Sequence, residues 1–197
     1  DGVPEAFGRG LNSVNLNQNP YLKNLTFAAG SPYTNNDGVL YKGTTLEMLL
    51  DPEKTEVAVR SGTTSIAERA FKGTSVTSVT FSDNTLKSIG LEAFYSCGLT
   101  EFVFPSSVEA VGERAFSNAS DLNSVVINGN MESLPTAMFN NCSSLSTVTI
   151  NASVKSIEND CFYNCTSLKN VVLPEPVPPE IKMLYPAHTS ICRNVTT

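Results

Sequence analysis

Histidine occurs once in these 197 residues, at His188, two positions after Pro186. Ser-His or Cys-His nucleophilic chemistry would rest on that single tail residue, and a satisfied or solvent-facing imidazole is its ordinary reading. Charge is sparse as well: 16% of the side chains are charged, the net charge is −6 and the pI about 4.8. No basic run of any length occurs, which argues against nucleic acid as a partner. The mild acidity reads as solubility. No apolar run approaches the roughly 18 residues of a membrane-crossing helix, so no membrane span is expected. The chain opens at Asp1 without Met or a charged-then-apolar leader, the expected look of a mature or trimmed fragment from which any export signal is gone.

Catalytic constellations are equally scarce. Glycoside hydrolysis needs two carboxylates facing each other across a cleft. Glu158 and Asp160 fall on a variable, solvated stretch, and the strand-like stretches offer a single outward acid, Glu101. Asn128-Gly129-Asn130 is a turn rather than a phosphate cradle. No enzyme, cofactor or metal site is expected, and a hydrolase stands last among the functional readings.

What the chain does have is a period. Phe71, Phe94, Phe116, Phe139 and Phe162 are separated by 23, 22, 23 and 23 residues. Five residues before each stands an aliphatic: Ile66, Ile89, Val111, Leu134, Ile157. After each comes an apolar-x-x-apolar-x-apolar stretch, from Val76-x-x-Val79-x-Phe81 through Leu99-x-x-Phe102-x-Phe104 to Leu168-x-x-Val171-x-Leu173. Self-similarity at this spacing is the mark of stacked coils. The final apolar-x-apolar alternation turns two side chains inward from a short strand. The Ile-x-x-x-Ala-Phe stretch is expected to return the chain in a short helical or 3₁₀ turn. A lone coil cannot bury enough to stand, so neighbours must share ladder hydrogen bonds.

The register also reads the five cysteines. Cys97, Cys142 and Cys165 share the slot three after the phenylalanine, where other units place Thr74 or Ala119, and Cys161 replaces the alanine before Phe162. These are slots for small buried side chains, so free thiols are expected rather than a zinc site. A Cys142–Cys165 bridge between adjacent coils is the one disulfide worth weighing, and Cys192 is the odd one out. Six Asn-x-Ser/Thr sequons occur, at Asn24, Asn118, Asn141, Asn151, Asn164 and Asn194. Three recur at one phase, so their density reads as a by-product of the repeat.

The unit Val-x-x-Ile-x-x-x-Ala-Phe-x-x-Cys-x-x-Leu-x-x-Val-x-Leu-Pro, nearly complete from Val154 to Pro174, resembles the BspA-like leucine-rich repeat family. The resemblance covers about residues 63–174 and five units agree in phase. It implies a curved α/β-type solenoid with a parallel sheet of short strands, exported to bacterial or protist surfaces, with adhesion or host-protein binding in some members. It brings no catalytic residues.

Four segments follow. Residues 1–27 read as degenerate coils, with Ala6-Phe7, Leu11-x-x-Val14-x-Leu16 and Leu22-x-x-Leu25-x-Phe27. Residues 28–62 break the period: Asp37-Gly38 and Lys42-Gly43-Thr44-Thr45 are turn signals around short strands, and Thr55–Val59 is a third extended piece. This inserted β-hairpin is either a contact loop or a flap over an apolar edge, with the flap preferred. Residues 63–174 hold five regular repeats. Residues 175–197 form a Pro-rich cap or tail; the run Pro174-Glu-Pro176-Val-Pro178-Pro179 is expected to halt the sheet.

The outward strand positions make two rows. One reads Ser78, Glu101, Ser124, Thr147, Asn170, the other Thr80, Val103, Val126, Thr149, Val172. The second is β-branched and free of charge. Such a row can reflect β-propensity alone or a shallow contact strip for an extracellular protein or glycan. The leading expectation is a non-enzymatic, exported cell-surface binding or adhesion module. The alternative is a structural, self-associating spacer or coat element.

Overall fold

The computed structural model describes residues 22–152, 154–173 and 182–183. The degenerate coil patterns before residue 22, His188, Cys192 and the proline run lie outside the described residues.

Strands β1 (Tyr33–Asn36), β2 (Val39–Lys42) and β3 (Thr45–Leu49) form an antiparallel meander. Asp37 and Gly38, at φ +52° and +74°, make the two-residue turn that Asp-Gly predicts, where both positions must be left-handed. The meander packs against the coils. Val39, Tyr41, Leu46 and Leu49 join the main core, and Leu49 N donates to Ala70 O at 3.1 Å. The Tyr41 hydroxyl accepts from Arg60 N at 3.1 Å, and the Arg60 guanidinium lies 4.2 Å from the Tyr41 ring.

Beyond the meander, four-residue strands alternate with two-residue strands. These are β4 (Glu56–Val59), β5 (Ser65–Ile66), β6 (Ser78–Phe81), β7 (Ser88–Ile89), β8 (Glu101–Phe104) and β9 (Ala110–Val111). They continue as β10 (Ser124–Ile127), β11 (Ser133–Leu134), β12 (Thr147–Ile150), β13 (Ser156–Ile157), β14 (Asn170–Val172) and β15 (Lys182–Met183). The even-numbered strands from β4 stack in parallel as a large ladder in two sheets, β4-β6 and β8 to β14, and the odd-numbered strands from β5 as a small one, also in two, β5 to β9 and β11 to β15. The meander extends the small ladder, because β3 pairs in parallel with β5. Pairing of β4 with β6 carries the stacked coils back to Glu56, earlier than the Thr63 start of the regular period. Later in sequence than the prolines, β15 pairs with β13, so the small ladder continues beyond the last described rung of the large one.

Alternation sorts the large-ladder side chains. Val57, Val79, Phe102, Val125, Val148 and Val171 point inward and are buried, as are Val59, Phe104, Ile127 and Ile150. Phe71, Phe94, Phe116, Phe139 and Phe162, none more than 1% exposed, form one stacked column with successive centroids 4.9, 5.0, 5.4 and 5.5 Å apart. This is edge-tolerant aromatic stacking in the favoured distance range of about 4.5–7 Å.

The returns are not helical. Among the described residues the one helical element is a 3₁₀ turn at Leu22–Asn24. Each spine phenylalanine is flanked two residues away on both sides by a left-handed residue, as with Arg69 and Gly73 around Phe71, or Ala137 and Asn141 around Phe139. Amides then alternate in their partners. Ala70, Lys72 and Thr74 donate three residues back, whereas Arg69, Phe71 and Gly73 donate to Leu91, Ala93 and Tyr95 in the next coil. A helix would satisfy every amide within its own coil and leave none to join the coils. Gly90 and Gly112 serve the same closeness: a Cβ there would press into the backbone at Glu68 and Leu91 of the preceding coil.

Candidate functional site

The outward face of the large ladder carries all ten residues of the two rows. Glu101, Ser124, Thr147 and Asn170 lie in register across β8, β10, β12 and β14. Val103, Val126, Thr149 and Val172 lie beside them, with Val103 53% and Val172 42% exposed. Glu101 is the one charge among these eight. Ser78 and Thr80 do not continue the rows. They pair with Glu56 and Ala58 on β4, and the large ladder is broken between β6 and β8. The expected five-coil strip is therefore two patches.

Volume explains the break. Every other large-ladder strand sets valine in the first inward slot; β8 sets Phe102 there and Phe104 in the second. The Phe102 ring lies 5.2 Å from Phe94, 4.8 Å from Phe116, 4.7 Å from Phe104 and 5.9 Å from Phe81. Three rings, Phe81, Phe102 and Phe104, stand where the other strands set Val, Ile or Leu, and the pairing of β6 with β8 is interrupted beside them. The turn after β6 is also one residue longer: Phe81 to Leu86 spans five positions, but Phe104 to Val108 and Ile127 to Met131 span four.

A groove of about 600 Å³ opens at the break, with Ser78, Phe81 and Asp83 on one wall and Glu101, Phe104 and Ser106 on the other. No lysine or arginine lines it. Asp83 accepts from Ser61 Oγ at 2.6 Å, Thr85 Oγ1 at 2.7 Å and Gly62 N at 2.9 Å. Those donors, Ser61 first, hold its carboxyl down at about 2, so it is charged at any physiological pH. The sequence carried the signal for this groove in its two inward phenylalanines on one strand and in the long Ser82-Asp83-Asn84 turn.

The return wall is built for cohesion. Asn141 Nδ2 donates to Asn118 Oδ1 at 3.0 Å and Asn164 Nδ2 to Asn141 Oδ1 at 2.9 Å. All three sit at φ near +60°, a conformation asparagine tolerates well, which explains why three sequons share one phase. Glu92, nearly buried, accepts from Lys72 Nζ at 2.7 Å and Arg69 Nε at 2.9 Å, and Arg114 lies at 4.0 Å. The Lys72 bond first, then Arg69, lowers its carboxyl below the usual range. Sequence reasoning missed this clamp, although Arg69, Glu92 and Arg114 alternate in sign at one repeat slot. Cys97, Cys142, Cys161 and Cys165 are free and buried. Cys142 Sγ donates to Phe116 O and Cys165 Sγ to Phe139 O, each at 3.1 Å. Burial pushes Cys97 up to about 11, Cys165 to about 12, and Cys142 and Cys161 upward as well, so none is a thiolate near neutrality. Among the described residues no three His, Cys, Asp or Glu converge to hold a metal, and no helix is long and apolar enough to cross a membrane.

Residues 55–181 match the BspA type leucine-rich repeat region, in six copies. No curated protein shows a significant match. Among solved structures, a leucine-rich repeat protein of Eubacterium ventriosum superposes with a TM-score of 0.66 at 23% identity, covering 71% of this chain and 39% of that one. The pneumococcal vaccine antigen PcpA gives 0.55 at 21%, covering 74% and 43%. A leucine-rich repeat protein of T. pallidum gives 0.53 at 20%, covering 87% and 90%. At these identities the likeness concerns the fold alone, and the chain spans under half of the first two.

Proposed function

The chain belongs to the BspA-type leucine-rich repeat family, and from that premise we propose that it is a non-enzymatic, exported cell-surface module binding an extracellular protein or glycan through its large-ladder face. The single observation that supports this most is the four-rung patch from β8 to β14. It is in register, carries one charge in eight residues, and holds Val103 at 53% exposure. Charge-poor exposed strand rows invite association unless a partner covers them. Hydroxyl and amide side chains from Ser124, Thr147 and Asn170 add hydrogen-bonding capacity beside the apolar row.

Lysines at Val126 and Thr149 test the reading, since both lie at the middle of the patch. Binding of the wild type and of Val126→Lys with Thr149→Lys is compared on arrays of extracellular-matrix and surface glycoproteins. Loss of the wild-type signals in the double variant is expected. Signals unchanged by the two lysines remove the face from the reading.

A further inference from the structure

We propose that the four-rung patch from β8 to β14 is a homophilic contact, whose partner is the same patch on a second copy of this chain. The inference rests on the large-ladder face being the binding surface, and it names the partner protein.

The two ends of the patch carry opposite charge. Glu101 lies on β8 and Lys169 immediately precedes β14, three rungs of roughly 4.8 Å away. Both are exposed, and among the described residues neither makes an ion pair within its own chain. That sets Lys169 apart. Every other described cationic side chain is held by a carboxylate or lies over a tyrosine ring. The backbone still fixes its place, since Lys169 N donates to Ser146 O at 3.1 Å.

A two-fold axis along the strand direction, between β10 and β12, matches this pattern to itself. It reverses the coil order, setting β8 of one copy over β14 of the other and β10 over β12. Val103 then faces Val172, the two exposed valines of the row, and Val126 faces Thr149. Sheets pack this way with their faces about 10 Å apart. Glu101 of each copy comes over Asn170, one residue from Lys169, so the dimer gains an ion pair at both ends. An axis along the stack of coils instead sets each coil over its own copy and leaves both charges without a counterion. Nothing in the patch is aromatic, so a sugar ring finds no surface to stack on.

The contact is small. Eight patch residues and Lys169 fall well short of the roughly 20–30 a side of a standard interface, so a dissociation constant of about 10–1000 µM is expected. Many copies displayed on one surface multiply such a contact.

Sedimentation velocity of the full chain, from micromolar to millimolar concentration, tests the proposal. The wild type is expected to pass from monomer to dimer. Glu101→Lys and Lys169→Glu each place like charges at both ends and weaken association by about tenfold or more. Mixed one to one, the two variants restore opposite charges at both ends, and a heterodimer of wild-type strength forms. A strict monomer at millimolar concentration overturns the proposal. So does a dimer indifferent to either charge reversal, or a mixture that associates no better than its parts. A monomer whose array signals still vanish on Val126→Lys with Thr149→Lys overturns the homophilic partner alone and leaves the face reading standing.

Discussion

The ring of Phe94 lies 4.9 Å from that of Phe71 with the two planes 4° from parallel. Five coils contribute one such ring each, and the inner three, Phe94, Phe116 and Phe139, are stacked on both sides. Solenoid stability is a sum of weak units and their interfaces, so a central ring belongs to two interfaces at once. Phe116 has the most to lose, because it also touches Phe102 at 4.8 Å and Phe104 at 5.4 Å. Phe116→Ala is expected to cost about 3–5 kcal/mol in chemical denaturation, and Phe162→Ala, near the end of the described column, less. A loss under about 1 kcal/mol at Phe116 contradicts a shared aromatic column.

The asparagine ladder makes a prediction that separates backbone from side chain. Asn141 sits at φ +61° and is bonded to Asn118 and Asn164. Asn141→Ala loses both bonds and places a Cβ residue less tolerant of that conformation, at about 1–2 kcal/mol for the backbone alone. Asn141→Gly loses only the bonds. Denaturation should rank wild type above the glycine variant and the glycine variant above alanine; alanine equal to glycine would contradict a left-handed requirement there.

Asp83 gives the pH dependence. Its carboxyl is depressed from an ordinary 3.8 to about 2 by donors that exist only in the fold. A depressed folded-state value means the stabilisation is present above about pH 4 and is lost as pH falls toward 2. Asp83→Asn should therefore be less stable than wild type at pH 5–7, with the gap narrowing between pH 4 and 2. A gap that does not change over that range contradicts the cradle of Ser61, Gly62 and Thr85.

Much of this architecture was legible in the residues because it depends on what repeats. The period of the phenylalanines fixed the stacking, and Asp37-Gly38 marked its hairpin. Outward and inward strand positions followed from alternation. The conformation of the returns was not legible: Ile-x-x-x-Ala-Phe has helical spacing, and the left-handed positions are held by Arg69, Glu92, Arg114 and Ala137, whose types carry no such preference. Bonding between coils decides it. The break between β6 and β8 was hidden for another reason. It coincides with three bulky inward rings, Phe81, Phe102 and Phe104, set across two coils, a combination that no one position announces.

Amide hydrogen exchange on the free protein tests the divided face most directly. Alternate amides of residues 78–81 and 101–104, those aimed at the opening, should exchange much faster than the amides of β10 and β12, which are paired on both sides. Equal slow exchange from β6 through β12 would mean an unbroken ladder, and with it no divided face.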